Sequence, residues 1–357
     1  MTLRKTFKYG VASPTSMGVR LMPQGRMPVH ASDTFQMIAT SAETNVINIS
    51  SSLGYKGLAL TNFVQDSPIA HFIKGDLRRR NIEYLGPDVP QGGPWGYRHQ
   101  FNIADSGFGV RGPRVLNDRA GEVGCTLDAK NYDLDKIFGE DGVAIVHVSG
   151  LIGAISPETT KFCLEVLRTA KKHGTLISFD LNHRATFWKG REEELRKGFI
   201  EMASLTDILI GNEEDYQLCL GIAGPREGGR DILTQIDDFK NMLSDIKKTF
   251  PSISVFGNTL RQVLSANEHL WGAMTLFGDI WTVTSPRPIR ILDRLGGGDG
   301  FAGGLLYGIL TGMEPEKATQ FAWASGALAA TVTSDYATPA DEQMVWDIYA
   351  GNARVKR

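Results

Sequence analysis

Continuous apolar runs alternate with amphipathic segments along the second half of the chain. Residues 143–148 form an apolar run typical of a strand buried on both faces. After Pro157, the apolar residues Phe162, Val166 and Ala170 recur at helical spacing. Further strand-like runs lie at 175–179, 207–210, 253–256 and 288–292. This alternation predicts an α/β domain with three layers, in which helices cover both faces of a mostly parallel sheet.

Two segments depart from this alternation, at about 13–37 and 91–125. Both are rich in glycine, proline and polar residues, with short alternating stretches. This composition predicts antiparallel ribbons or long loops inserted into one domain that spans residues 1–357. Flexible insertions are the alternative interpretation.

Composition and charge exclude several classes of partner. The chain has 357 residues, of which 42% are hydrophobic and 22% charged, and its formal net charge is −2. This balance provides no basic surface for nucleic acid or for an anionic membrane. The three cysteines have no metal-type spacing, and no apolar run suggests a signal peptide or a membrane span. We therefore expect a cytoplasmic protein with small-molecule ligands.

The predicted sheet indicates where ligands bind. In open α/β sheets, ligands lie beyond the carboxyl ends of the strands. That rule selects residues 180–184, 211–215 and 257–261, together with the loop that precedes Asp299.

The glycine-rich loop before Asp299 contains the strongest chemical signal in the sequence. Gly296, Gly297 and Gly298 directly precede an apolar helical pattern that extends to Leu310. Glycines at a helix N-terminus allow close backbone approach, and the free N–H groups bind anions. A carboxylate would repel a phosphate there unless it had a chemical role. The natural role of Asp299 is to accept a proton from a substrate hydroxyl.

Three other interpretations of this loop are weaker. Residues 298–303 fit the pattern G-x-G-x-x-G, but no acidic residue lies at the spacing that a dinucleotide site requires. A phosphate-binding Gly-Lys-Ser/Thr loop is absent from the sequence. A purely structural turn, with Asp299 as the helix N-cap, remains an alternative.

The loop resembles the DTxGAGD signature of the ribokinase-like (phosphofructokinase-B) carbohydrate kinases, with Asp293 at its first position. Within that family, residues 180–184, with Trp188, resemble the Asp-Leu-Asn-Tyr-Arg…Trp segment of the 2-keto-3-deoxygluconate (KDG) kinases. The Thr-Leu-Arg stretch at 259–261 is also similar. The resemblance covers nearly the whole chain. It implies the family fold, with a small β lid formed by the two irregular segments.

The resemblance also implies roles at the phosphoryl-transfer centre. Asp299 would be the general base, and the amides of Gly296, Gly297 and Gly298 would form the anion hole. Arg184 would reach the transferring phosphate and the acid group of the sugar, since a guanidinium binds both by paired hydrogen bonds.

The nucleotide and metal roles follow from the same resemblance. Asn182, Asn212, Thr259 and Arg261 would lie near ATP. Asp215 matches the acid of the family's N-x-x-E motif, one methylene shorter, and would help to bind Mg²⁺ through water. The resemblance leaves open whether a monovalent cation is required.

On the sugar side, Asn45 would contact the sugar, and the lid arginine Arg119 would contact the carboxylate of KDG. The family's use of an exposed lid face implies a homodimer formed through the lid.

Several sugar-side positions differ from the KDG kinases, namely Thr15, Ser16, Thr40, Ser41, Ala42 and Asn117. Side chains in place of glycine would narrow or reshape the pocket. These differences favour a kinase with an altered substrate over an inactive one. KDG is the expected substrate, and a different ketose or sugar acid is the alternative. A non-catalytic sugar- or nucleotide-binding homologue and a nicotinamide-dependent oxidoreductase are the alternatives.

Overall fold

The computed structural model describes residues 1–224 and 235–354. The strands are β1 (Tyr9–Pro14), β2 (Gly18–Pro23), β3 (Phe35–Thr40), β4 (Gly57–Leu60), β5 (Phe63–Val64), β6 (Ile82–Leu85), β7 (Asp88–Val89), β8 (Gln100–Asp105), β9 (Arg114–Asp118), β10 (Val143–Ser149), β11 (Leu176–Asp180), β12 (Ile208–Ile210), β13 (Val255–Ser265), β14 (Glu268–Phe277) and β15 (Ile280–Arg290). The helices are α1 (Ala42–Ser52), α2 (Pro68–Arg79), α3 (Gly150–Gly153), α4 (Pro157–Lys172), α5 (Ala185–Trp188), α6 (Glu192–Leu205), α7 (Glu213–Leu220), α8 (Ile236–Thr249), α9 (Gly297–Leu310), α10 (Pro315–Ala329) and α11 (Glu342–Ala350).

The large sheet has nine strands in the order β15-β14-β13-β12-β11-β10-β1-β4-β6. The strands from β13 to β6 pair in parallel, whereas β13, β14 and β15 form an antiparallel meander at one edge. The mostly parallel sheet predicted from the sequence is therefore confirmed. The strand predicted at 288–292 instead ends at Arg290, because β15 is an edge strand that runs back along β14.

Apolar residues cover both faces of this sheet. On one face, α4, α6 and α8 pack through residues such as Phe162, Phe199 and Leu243. On the other face, α1, α9 and α10 pack through residues such as Ile47 and Phe301. All seven residues of β10 are buried, as the continuous apolar run predicts. Over the ranges that the structure describes, no helix combines the length and the apolar character needed to cross a membrane.

A second sheet has four strands in the order β3-β2-β8-β9, and we call it the lid sheet. Its strands come from two segments far apart in sequence, since β2 pairs in parallel with β8. The predicted segment 13–37 begins inside β1 of the large sheet, and the lid strand β3 continues beyond it to Thr40. Arg20 pairs with Asn102, and Asn102 pairs with Asn117, so polar residues are adjacent across β2, β8 and β9.

Candidate active site

A cleft of about 620 Å³ lies between the lid sheet and the carboxyl ends of the parallel strands. This volume is in the range of pockets that hold small-molecule ligands. Its lining includes most of the site residues predicted from the sequence: Asn45, Arg119, Asn182, Arg184, Asn212, Asp215, Thr259, Arg261, Gly296, Gly298 and Asp299. Gly297 is buried instead, next to the ring of Trp271.

The glycine-rich loop forms the N-terminus of α9. Gly296 is the N-cap with φ +83°, and a Cβ atom there would lie 1.9 Å from the carbonyl oxygen of Asp335. Only glycine fits this position, because the conformation and the space both exclude a side chain. The helix begins at Gly297, two residues before the predicted start, so Asp299 lies in the first helical turn. The first amides of a helix have no intrahelical acceptor, and Gly296 and Gly298 line the end of the cleft where an anion would bind.

Asp299 is half-buried in the cleft lining, and its carboxylate accepts a hydrogen bond from Asn45 Nδ2 at 2.9 Å. Burial raises the pKa of Asp299 to about 7, and the negative charges of Asp335 and Glu43 add to this effect. The Asn45 hydrogen bond and the positive charge of Arg184 oppose the rise in pKa. A carboxyl group with a pKa near neutrality is suited to accepting a proton from an alcohol.

Positive charge gathers at the same end of the cleft. Arg184, Arg261 and Arg294 all line it, and no ion pair of these side chains with an acidic residue is found within the described ranges. Burial, followed by the charge of Arg294, lowers the pKa of Arg261 to about 10. Guanidinium groups bind phosphate oxygens through paired, charge-assisted hydrogen bonds. The sequence analysis did not select Arg294, although it directly follows Asp293 in the signature loop.

Oxygen-bearing side chains occupy the ends of β11 and β12. The Asp215 carboxylate accepts hydrogen bonds from the backbone amides of His183, at 2.9 Å, and Asn212, at 3.0 Å, and so joins the two loops. Beside it lies Asp180. Burial, followed by the charges of Asp215 and Asp299, raises the pKa of Asp180 well above its ordinary value.

This donor set suits magnesium bound through water and phosphate oxygens. Mg²⁺ prefers oxygen ligands and usually binds through one or two carboxylates plus substrate phosphates. Asp180 and Asp215 provide such carboxylates at one end of the cleft. Among the described residues, no cluster of three or more histidine, cysteine, aspartate or glutamate side chains could hold a metal by itself. A monovalent-cation requirement stays a prediction.

Neutral amide side chains line the lid side of the cleft. Gln100 and Asn102 are two residues apart on β8, so they lie on the same face of that strand. Asn117 on β9 pairs with Asn102. Asn45 Oδ1, Gln100 Oε1 and Asn102 Oδ1 are buried and have no hydrogen-bond partner within the described ranges. Buried polar atoms normally have partners, so these groups are suited to sugar hydroxyls. The sequence analysis missed Gln100 and Asn102, although their alternation within a polar strand was a usable signal.

Arg119 lies beside these amides at the end of the lid. Its Nη1 donates to Glu122 Oε1 at 2.6 Å, and its guanidinium packs over the ring of Phe187. Arg119 Nε has no partner in the part of the chain that the structure describes. Glu122 also accepts a hydrogen bond from Ser16. The lid arginine is therefore fixed in place while one of its N–H groups remains available to a ligand.

Four of the six residues that differ from the KDG kinases form hydrogen bonds with acidic groups or cap a helix. Thr15 Oγ1 donates to the buried carboxylate of Glu43 at 2.7 Å, and Thr40 Oγ1 donates to Asp335 at 2.7 Å. Ser41 is the N-cap of α1. Thr40, Ser41, Ala42 and Asn117 line the cleft, whereas Thr15 and Ser16 are buried outside its lining.

The dinucleotide interpretation of residues 298–303 does not fit the structure. These residues lie inside α9, and the preceding strand β15 pairs antiparallel with β14. A dinucleotide fingerprint joins a strand to a helix within a parallel βαβ unit. This stretch therefore provides no nicotinamide site.

Proteins of known sequence and structure resemble this chain. A 5-dehydro-2-deoxygluconokinase of Clostridium perfringens is 28% identical over 214 residues, which cover 60% of this chain and only 56% of that protein. A 2-dehydro-3-deoxygalactonokinase of Haloferax volcanii is 25% identical over 342 residues, covering 95% of this chain and 96% of that protein. The crystal structure of 2-dehydro-3-deoxygluconokinase from Thermotoga maritima superposes with a TM-score of 0.87 at 26% identity, over 96% of this chain and 100% of that one.

The three-layer fold with a lid, predicted from the sequence, agrees with that superposition. The family model for pfkB family carbohydrate kinases matches residues 141–342, which is more than half of the chain. That range includes the Asp180–Arg184 segment, the glycine-rich loop and Asp299. The chain therefore belongs to the pfkB family of carbohydrate kinases.

Proposed function

We propose that this protein transfers the γ-phosphoryl group of ATP to a hydroxyl of a sugar or keto-sugar acid, with Asp299 as the general base. The first substrate to test is KDG, with its 6-phosphate as the product. The observation that carries the proposal is the position of the Asp299 carboxylate. It lies in the first turn of α9, where the positive charge of Arg184 lowers the pKa of Asp299 but burial raises it overall to about 7.

The proposed phosphoryl transfer forms one bond to phosphorus and breaks another. The sugar hydroxyl oxygen forms a bond to the γ-phosphorus, and the bond from that phosphorus to the bridging oxygen of ADP breaks. The hydroxyl proton passes to the Asp299 carboxylate. The α9 amides and Arg184 stabilise the negative charge on the transferring group. Asp180 and Asp215 would hold Mg²⁺, whose charge would offset that of the phosphates when it is bound.

A sugar acid is favoured because the Arg119 guanidinium lines the lid side of the cleft, next to the amides proposed to bind the sugar. Arg119 is held by Glu122 and retains a free Nε–H, so it is suited to a carboxylate. The names of the relatives from Clostridium, Haloferax and Thermotoga all refer to kinases of dehydro-deoxy sugar acids. The amides of Gln100, Asn102 and Asn117 would bind the hydroxyl groups.

We also propose a homodimer formed through the lid sheet. Val115 and Leu116 on its edge strand β9 are 46% and 61% exposed. With Pro28, Val29 and Ile103 they line a mainly apolar depression of about 450 Å³. A second copy covering this face would remove the apolar surface and the unpaired strand edge from water.

A coupled ADP-release assay tests the activity. The panel consists of KDG, its galactose-derived epimer, 5-dehydro-2-deoxygluconate, fructose, tagatose, ribose and adenosine. We expect turnover with at least one sugar acid, and a loss of about 10³-fold or more in kcat for Asp299→Asn, with ATP and sugar binding retained. Sugar binding by calorimetry without ADP release from any substrate would instead identify a non-catalytic homologue.

A further inference from the structure

We propose that Arg20 is a positioning residue for phosphoryl transfer. Its guanidinium clamps Asp293 and Asp335, and this clamp sets the orientation and the charge environment of Asp299. The inference rests on the proposed role of Asp299 as the base, and it adds a residue that lies outside the cleft lining.

The clamp is a buried group of three charges. The Arg20 side chain on β2 is fully buried, with 0% of its surface exposed. Its Nη2 lies 2.7 Å from Asp293 Oδ2, and its Nη1 donates to Asp335 Oδ1. Desolvating charges is costly unless each has a partner, so two carboxylates and one guanidinium constrain one another strongly.

Both carboxylate residues contact the loop that begins α9. Asp293 Oδ1 accepts a hydrogen bond from the backbone N–H of Leu295 at 3.1 Å. The carbonyl oxygen of Asp335 lies against Gly296, in the space that a Cβ atom would occupy. The lid residue Arg20 therefore holds the two backbone segments that shape the anion-binding turn.

A continuous hydrogen-bonded path leads from the clamp to the base. Thr40 Oγ1 donates to Asp335 Oδ2 at 2.7 Å. Asn45 Nδ2 lies 3.4 Å from Thr40 Oγ1 and donates to Asp299 Oδ2 at 2.9 Å. Because the Thr40 proton points to Asp335, its lone pairs are available to the Asn45 amide. The donors and acceptors along the path are therefore mutually consistent, which favours one orientation of Asp299.

The clamp also controls the charge around the base. Asp299 faces negative charges of Asp335, Glu43 and Asp180 and the positive charge of Arg184. The charge of Asp335 raises the pKa of Asp299. Arg20 pairs with Asp335 and offsets that charge, so its removal should raise the pKa of Asp299 further.

The test measures kcat, KM and the pH dependence of kcat/KM for Arg20→Met, Arg20→Lys and Arg20→Met/Asp335→Asn. We expect Arg20→Met to lower kcat by about 10²-fold. We also expect the acidic limb of the kcat/KM profile, where activity falls as Asp299 is protonated, to move to higher pH by about half a pH unit or more. KM for the sugar should change by less than about threefold. In the double variant the limb should return towards its original pH, because the uncompensated negative charge is gone.

Arg98→Met is the matched control, because Arg98 forms a lid ion pair with Asp118 that lies outside this path and outside the cleft lining. It should lower stability without moving the limb. Thr40→Val interrupts the path while keeping the clamp, and it provides a test if Arg20→Met does not fold. Arg20→Lys keeps the positive charge and should leave the limb in place. Arg20→Met with an unchanged limb would overturn the proposal, as would an unchanged kcat in Thr40→Val or a shifted limb that the double variant does not restore.

Failure of the proposed function would be recognised separately. If the unmodified protein phosphorylates no sugar, the kinase proposal fails, but the pKa of Asp299 can still be measured by carboxyl ¹³C NMR against Asp299→Asn. An unchanged Asp299 pKa in Arg20→Met would then refute the positioning role on its own.

Discussion

Asn45 Nδ2 on α1 donates a hydrogen bond to Asp299 Oδ2 on α9, at 2.9 Å. The two helices approach closely because Gly303 lacks a side chain, and a Cβ atom there would lie 2.5 Å from the carbonyl oxygen of Val46. The other polar atom of the Asn45 amide, Oδ1, has no partner within the described residues. Asn45 is therefore placed to contact both the base and a substrate hydroxyl.

Asn45→Ala should lower kcat/KM by about 10²-fold, because the base loses the hydrogen bond that orients it and the sugar loses a contact. Asn48→Ala, one turn further along α1, is the matched control. Asn48 bonds to Ala337 and Arg80 and lies outside the cleft lining, so its loss should lower Tm and leave kcat/KM within about threefold. Steady-state kinetics and thermal melts check both variants, and equal kinetic losses would contradict this role for Asn45.

The pH profile should show an acidic limb close to neutrality. Asp299 must be ionised to accept a proton, and its pKa is raised to about 7. kcat/KM should therefore fall about tenfold per pH unit below that value and level off above it. Initial rates between pH 5 and 9, with coupling enzymes in excess, check this. A flat profile across pH 6–7 would show that a different group, or a lower pKa, governs the reaction.

Arg119→Met should raise KM for a sugar acid by about 30-fold or more and leave KM for a neutral ketose nearly unchanged, since only the acid loses a charge-assisted contact. Arg98→Met is the lid control, because Arg98 pairs with Asp118 and lies outside the cleft lining. KM measured for KDG and for fructose separates the loss of a carboxylate contact from a loss that affects every substrate. Equal losses on both substrates would argue against a carboxylate contact at Arg119.

Leu116→Glu should convert a lid dimer into monomers, because a charge would be buried at the centre of the apolar depression. Light scattering after size-exclusion chromatography measures the mass. Leu264→Glu is the control, because Leu264 is also exposed, at 51%, but lies on β13 rather than on the lid sheet. A monomeric unmodified protein would refute the lid dimer directly.

The sequence predicted the parts of the fold that local pattern determines. The apolar run in β10 and the glycine turn before α9 are readable because each depends on neighbouring residues. The antiparallel meander was not predicted, since β13 extends nine residues beyond the predicted end at 256 as an alternating strand. A paired edge of this kind depends on partners elsewhere in the chain.

The site could be predicted in part for the same reason. Asp299 and Arg184 belong to short motifs, so their chemistry is visible locally. The pair formed by Arg20 and Asp335 spans 315 positions, and neither residue belongs to a motif that signals the other. Contacts between distant segments arise from the tertiary arrangement, which spacing along the chain does not reveal.

The parallel pairing of β2 with β8 has a consequence for how the protein is made. The intervening residues include β4 and β6 of the large sheet, so the segment that joins the two halves of the lid sheet also contributes to the large sheet. Pairing between remote segments is slow, because the entropy cost of closing the loop comes before any stabilising contact forms. The pairing of β1 with β10 in the large sheet joins segments still further apart, and the cleft residues that follow β10 are synthesised after every lid strand. Nascent chains should therefore complete the lid strands before the catalytic end of the cleft exists, and mutations that weaken β2 should reduce the yield of correctly folded molecules.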